Sequence, residues 1–436
     1  MKSHKNMKMN TFGADQHEGM NMKSKVTRSQ LLAVTILTLL ALAGGVLLAA
    51  FYGDFTMSSK SMSSASMPGM QMNSDQKSTT PGMQIGGNKE PTPVSSLPAA
   101  PMLTPTQMNG LVMPPGMIMT PSMSMEAMDD MAAVDLTKIA YTAPAEARGD
   151  QTLTPKIENG VKVFNLDASL IKWNILPDKQ LAAYAFNRQV PGPRIRVTEG
   201  DRVRIVVKNN LPEPTTVHWH GLILPNNMDG PADVTQKPIE PGASYNYEFT
   251  LQQAGTYFYH SHKDVDRQQT LGMYGALIVD PKVKPKTPTY DKDVVIQLQE
   301  WTFKEGYTFP AMPMEGLLPN FFTINGKAYP ATETINAKVG ENIRFRFIGS
   351  NNAFIHPMHI HGGPFKIIET DGNPVPVAAQ IEKDTVNVGP GERYDVIWPA
   401  RKKGKWLLHC HIAHHITNDN VEVQGGGGLT MVINVT

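Results

Sequence analysis

Hydrophobic and polar positions divide this chain into three textures. The first is "LLAVTILTLLALAGGVLLAAF", residues 31–51, which carries no charge and only Thr35 and Thr38 as polar side chains. At about 1.5 Å of rise per residue such a helix is long enough to cross a hydrocarbon core. Lys23, Lys25 and Arg28 precede it, and the first charge after it is Asp54, so the positive flank points to the cytoplasm. The pattern predicts a basic cytoplasmic N-terminus over 1–28 and a single-pass signal-anchor over 29–52. A cleaved signal peptide is the alternative, although no clean A-x-A site follows. Both place the remainder outside the cytoplasmic membrane, in a periplasm or at the cell surface, or secreted if cleavage occurs.

The second texture, residues 53–156, has no sustained apolar period. Met, Pro, Ser, Gly and Thr dominate, as in "MPGMQM", "MPPGMIM" and "MSMEAMDDM". Such a composition buries too little to offset chain entropy and predicts a disordered linker. Twenty of the 26 methionines fall before residue 132, fifteen of them in this stretch, so the excess belongs to the N-terminal part rather than to a core. Clustered thioethers are soft donors suited to Cu(I); an ordinary tether with incidental methionines is the plainer alternative.

From Val161 the texture changes to short β-branched and aromatic runs separated by Pro, Gly and Asn: "VKVFNLDASLIKW", "RIRVTEGDRVRIVVKNN", "SYNYEFTL", "GTYFYHSH". Strands at this spacing predict an all-β fold of sandwiches or barrels. The runs also repeat. "EGDRVRIVVKNNLPEPTTVHWHG" parallels "VGENIRFRFIGSNNAFIHPMHIHG", "PGASYNYEF" parallels "PGERYDVIW", and "GTYFYHSH" parallels "GKWLLHCH". Two consecutive related β domains are therefore expected, over 157–285 and 286–436. Formal net charge is +1 and no basic stripe occurs, which gives no reason to expect a nucleic-acid partner.

Chemistry enters with the histidines. Eleven of the 13 lie in four clusters: "HWHG" (His218, His220), "HSH" (His260, His262), "HPMHIH" (His356, His359, His361) and "HCHIAHH" (His409, His411, His414, His415). On a strand both histidines of an H-x-H project to one face. Four matched pairs offer eight imidazoles, a donor set better suited to copper than to a hard ion. Since the pairs come from both repeats, their convergence requires an interface between domains.

The same alternation turns Cys410, the only cysteine, away from His409 and His411. A lone cysteine cannot form an intramolecular disulfide, and Cys plus two His is the trigonal set of a blue-copper electron-transfer site. His356 and His415 are the nearby candidates. Ser261 stands in the cysteine's place in the first repeat, so only the second repeat carries such a site.

Together the four motifs resemble the multicopper oxidases, in their two-domain laccase-like branch, over residues 157–436. The resemblance implies cupredoxin-like Greek-key domains and four copper ions. Type 1 copper would be held by His356, Cys410 and His415, type 2 by His218 and His359, and the type 3 pair by His220, His260, His262, His361, His409 and His411. It implies one-electron oxidation of a substrate (Cu(I), another metal ion or phenols) coupled to reduction of O2 to water, and a head-to-tail homotrimer with shared clusters. An oxidase outside the cytoplasmic membrane that trails soft thioethers would suit Cu(I) oxidation and copper tolerance. Asp229 sits where the family has an acid that assists proton delivery; a turn aspartate before Gly230 is the alternative. The family's axial position, five residues after the last type 1 histidine, is here Asn420, but "NDNVEVQGGGG" reads as an inserted loop; Leu429 and Met431 are the other axial candidates, and His414 is a solvent-facing extra. A copper nitrite reductase shares the two-domain trimeric plan, but its blue copper belongs in the first domain. A non-enzymatic copper-sequestering protein would not need a thiolate joined to histidines on both sides.

Overall fold

A computed structural model describes residues 106–108, 110–115, 123–283, 288–310 and 318–436, all within one compact unit, Val94–Thr436. Among these residues nearly everything regular is β. In the first half the main strands are β1 (Val161–Leu176), β2 (Lys179–Phe186), β3 (Ile195–Thr198), β4 (Arg202–Asn209), β5 (Val217–His220), β6 (Ser244–Thr250), β7 (Gly255–Ser261) and β8 (Tyr274–Asp280). In the second they are β9 (Lys292–Lys304), β10 (Asn342–Gly349), β11 (His356–Ile360), β12 (Phe365–Thr370), β13 (Thr385–Val388), β14 (Arg393–Pro399), β15 (Gly404–Cys410) and β16 (Thr430–Val435). β4 shows why these runs are strands: Val203, Ile205 and Val207 are buried and alternate with more exposed arginines, Val206 and Lys208.

Each half is a pair of sheets whose inner faces meet in one core, consistent with cupredoxin-like sandwiches. The internal repeat is visible in the pairing. β4 lies parallel to β1 and antiparallel to β6, and β10 lies parallel to β9 and antiparallel to β14. The other sheet of the first half runs β3-β8-β7-β5. Its counterpart runs Ile335–Ala337, β16, β15, β11, β13. In both, the two H-x-H strands are adjacent and antiparallel: His260 lies opposite His218, and His409 opposite His359. A small apolar layer of Phe258, Ala276 and Ile278 from the first half and Val295 and Ile348 from the second joins the halves.

The expectation of disorder through residue 156 needs correction, because residues 123–156 are built into the fold. Met125–Met131 forms a short helix, α1, whose N-cap Ser124 accepts the Ala127 N–H at 3.1 Å. Met128 and Met131 pack with Met113 and Ala132 in a buried cluster, so these thioethers fill a small core. Arg267, on the helical turn α2 (Val265–Gln268), donates to the carbonyls of Ala132 at 2.7 Å and Asp130 at 3.3 Å. Farther on, Ile139 and Ala143 are buried, and Val134, Thr142 and Thr152 make single bridges to Thr308, Lys172 and Arg194. The order is tertiary in origin, which is why no local period announced it.

Among the described residues no helix is long and apolar enough to cross a membrane. The expected cytoplasmic segment 1–28, the anchor over 29–52 and linker residues 53–105 lie outside the described residues.

Arg267→Ala should free the end of α1. We expect the loss of these charge-assisted bonds to cost about 1.5–3 kcal/mol locally, seen as faster amide exchange and proteolysis at residues 125–135 while the sandwiches keep their strand spectrum.

Candidate metal centre

Three ligand atoms meet in the core of the second sandwich. Cys410 ends β15 and is fully buried, with its cross-strand neighbour Met358 also fully buried. His356 starts β11, and His415 lies on the turn after β15. Cys410 Sγ is 3.9 Å from His356 Nδ1 and 3.6 Å from His415 Nδ1, and the two Nδ1 atoms are 3.1 Å apart. All three residues are buried. A soft sulfur with two imidazole nitrogens, in a site closed to water, fits copper as a donor set. Phe322 stacks on the His415 ring at 4.3 Å, and Phe354 tilts against it at 5.2 Å. Gly428 lies against the same segment: a Cβ there would come within 2.2 Å of the His415 carbonyl.

The H-x-H pairs form two quartets. In the first, the His218 ring is 5.3–5.5 Å from the rings of His220, His260 and His262. In the second, His359 is 5.0 Å from His361, 5.6 Å from His409 and 5.8 Å from His411. Ligand atoms of His218, His220 and His260 lie within 4.8 Å of one another, and the Nε2 atoms of His361 and His409 are 3.0 Å apart. Among the described residues no ring of one quartet touches a ring of the other. Cys410 and its two neighbours therefore do face opposite ways, one into the core and two into the second quartet.

Hydrogen bonds fix which nitrogen of each ring carries the proton. His218 donates Nδ1–H to the Asp229 carbonyl at 2.7 Å, and His359 to the Asp384 carbonyl at the same distance. His260 and His409 do likewise to the carbonyls of Ser261 and Cys410, both at 2.8 Å. Each of the four thereby presents Nε2. The Asp229 loop reaches His218 because residue 230 is glycine: a Cβ there would fall 2.1 Å from the Val217 carbonyl. The Asp229 carboxylate is 3.5 Å from His218 Nδ1 and partly exposed.

Burial favours the neutral form of six of these imidazoles. His220 is pushed down to about 3, by burial first and the Arg393 guanidinium second, and His415 to about 3 by burial. His218, His260, His361 and His409 are also lowered, chiefly by burial. Burial pushes the Cys410 thiol up to about 12, so it keeps its proton until a cation displaces it.

Two expectations change. Asn420 is exposed in the turn closed by Asn418 and Val421, with φ of +67°; it is a loop residue outside the core around Cys410. Leu429 and Met431 do belong to that core. The Leu429 carbonyl accepts from Cys410 N at 3.0 Å, whereas Met431 lies opposite Leu408 one step further along. His414 is not solvent-facing: it is half-buried, edge-on to Phe322 and 3.0 Å from the Pro319 carbonyl. Sequence reasoning missed Glu300, a fully buried acid on β9 with Oε1 3.2 Å from His356 Nε2.

Two family models, each described as multicopper oxidase, match residues 168–284 and 297–422, together more than half of the chain. The chain belongs to the multicopper oxidase family. Copper resistance protein A of Escherichia coli is 31% identical, over 49% of this chain and 42% of that protein. Multicopper oxidase MmcO of Mycobacterium tuberculosis is 32% identical, over 50% of this chain and 48% of that protein. The chain thus spans less than half the length of these curated relatives. Among solved structures, a blue copper oxidase from Nitrosomonas europaea is 36% identical and superposes with a TM-score of 0.58, covering 63% of this chain and 86% of that one.

The lowered histidines set a pH dependence for the metal-free multicopper oxidase fold. Below their unfolded value of 6.5 the unfolded chain takes up protons that His220 and His415 refuse until about pH 3. Stability should therefore be full above pH 6.5 and fall steadily toward pH 4, read as a decreasing Tm in calorimetry. A Tm that is flat or rising on acidification over that window would contradict the burial argument.

Proposed function

We propose that this protein is a copper-dependent oxidase that takes single electrons from a small reducing substrate and reduces O2 to water. The observation that carries the proposal is the placement of Cys410: its sulfur lies among the nitrogens of His356 and His415, while His409 and His411 join the second quartet. His356, Cys410 and His415 would hold type 1 copper, in the core that also contains Leu429 and Met431. His218 and His359 would hold type 2 copper, and His220, His260, His262, His361, His409 and His411 the type 3 pair. When bound, copper would supply one-electron oxidation at the single site and four-electron reduction of O2 at the cluster.

The chain's own residues do the rest. Cys410 is covalently continuous with His409 and His411, and the bond from His409 Nδ1–H to the Cys410 carbonyl adds a second short route between the sites. Backbone carbonyls hold His218 and His359 in one tautomer. The partly exposed Asp229 carboxylate, beside His218, relays protons from solvent. Both His356 and His415 are buried, so a donor passes electrons through the cover of the site without touching an imidazole. Cu(I) is the favoured donor and copper tolerance the favoured role, supported by relatives named copper resistance protein A. Phenols are the second class, supported by a relative named Laccase-1. The apolar run at 31–51 supports an enzyme tethered outside the cytoplasmic membrane.

Because each quartet's ring contacts stay internal, completing a cluster of the expected size calls for a neighbouring subunit, and a head-to-tail ring of three supplies it. We expect light scattering of the copper-loaded protein to give three times the chain mass of 47.9 kDa; a monomer with full copper and activity would refute the shared cluster. The copper-loaded protein should take up O2 with Cu(I) or a phenolic donor. Cys410→Ser should lower that uptake by more than about a hundredfold and abolish blue absorption, with the strand spectrum unchanged. Absence of uptake with either donor in a blue, copper-replete wild type would leave sequestration as the function.

A further inference from the structure

Glu300 is an anomaly for a buried acid. It sits on β9 with no exposed surface, in a run of buried residues, and among the described residues no lysine or arginine forms an ion pair with it. Its surroundings consist of donors. Oε1 accepts from Asn351 Nδ2 at 2.9 Å and from Phe354 N at 2.9 Å, and Oε2 accepts from Ala353 N at 3.2 Å. The fourth neighbour is His356 Nε2, 3.2 Å from Oε1 and aimed somewhat off the line of a full hydrogen bond. A carboxylate offers about four acceptor positions, and four donors meet it. Removing such a charge from water is costly unless a cation compensates it. The one residue here through which a cation can act is His356, whose opposite nitrogen, Nδ1, faces Cys410 and His415.

We infer that Glu300 is a positioning residue for the electron-collecting site: its carboxylate holds the His356 imidazole by the Nε2 edge and sets the reduction potential of copper bound at Nδ1. This rests on the type 1 assignment proposed above. A carboxylate behind a ligating imidazole fixes the ring and strengthens it as a donor. The added negative charge favours the more highly charged oxidised copper, so it holds the potential down. Glu300 reaches His415 as well. Its bonds to the 351–354 turn place Phe354 against the His415 ring, and its cross-strand partner Phe322 stacks on the same ring. One buried acid thus ties both imidazoles to β9.

The test is Glu300→Gln in the full copper-loaded protein, which keeps shape and removes charge. Copper content and strand spectrum should match wild type. The potential should rise so that the oxidised-to-reduced ratio at a fixed poise falls about tenfold, or 59 mV for one electron, and the type 1 electron-spin spectrum should change. Asn351→Ala removes a donor from the same carboxylate without touching its contact with His356, and should shift that ratio less than threefold. An unmoved Glu300→Gln potential, or equal shifts in both variants, overturns the inference. If Glu300→Gln does not fold, Glu300→Asp, which withdraws the charge from His356, should raise the potential by a smaller step; no rise overturns it equally. A copper-loaded wild type without blue absorption overturns the type 1 assignment and this inference together. A blue wild type with an unmoved variant overturns this inference alone.

Discussion

Adjacent side chains on a pleated strand cannot share a face, and the placement of β15 against that rule governs the site. Cys410 lies in the core with Met358 and Leu408, while the His409 ring lies with His359 and His361. A slip of one residue would send the sulfur to the quartet and an imidazole into an apolar core. The register is held from both sides. Cys410 N donates to the Leu429 carbonyl on one side, and His361 and His411 pair with Leu407 and Pro357 on the other. Beyond the strand, Gly428 approaches His415 so closely that a Cβ there would collide with its carbonyl. The constraint is therefore one of backbone pairing, and the chemistry inherits it.

A second fixed point sits between the sandwiches. Asp395 on β14 is buried and accepts from Thr256 on β7 at 2.9 Å, from Arg344, and from Arg346 at 3.0 Å. A buried acid is costly when unpaired, so here the charges must stay engaged, and they engage across the two halves. Arg346 also donates to Thr256 Oγ1 at 2.7 Å, and Arg393 to the Thr256 carbonyl at 3.3 Å. This holds β7, the strand that carries His260, to the second sandwich. The same network brings the Arg393 guanidinium beside His220, where it helps keep that imidazole neutral. Interface stability and ligand readiness share residues.

What could be read from the chain divides along local and non-local lines. The strands, their repeat, the H-x-H pairs and the opposed face of Cys410 all follow from a period of two, which neighbouring residues carry by themselves. Glu300 did not stand out, because its partners Asn351–His356 lie on another strand and its connecting turn; the only signal was an acid inside the buried run of β9. The carbonyls of Asp229 and Asp384 that orient His218 and His359 have no sequence signature, since every residue has a carbonyl. The order of residues 123–156 was hidden for a related reason: Met128, Val134 and Ile139 are held by partners on distant elements, and a methionine-rich composition reads as linker when its contacts are out of view. Asn420 was suspected from counting positions, and counting fails across an inserted loop.

The duplication leaves one asymmetry, and the first sandwich shows how it is maintained. Thr215 lies three residues before His218 as His356 lies three before His359, and Ser261 stands where Cys410 stands. Both are fully buried in the first core. Gln268, also fully buried, lies against Thr215. Thr215 Oγ1 donates to Gln268 Oε1 at 2.7 Å, and the amide nitrogen is taken up by Glu213 Oε1 at 3.0 Å and the Pro214 carbonyl at 2.9 Å. A satisfied amide offers no free soft donor, and restoring the thiol alone would leave it without imidazole partners. The same α2 turn that supplies Gln268 supplies Arg267 to the end of α1. The chain thus keeps two histidine quartets but a single cysteine, whose direct covalent neighbours are His409 and His411.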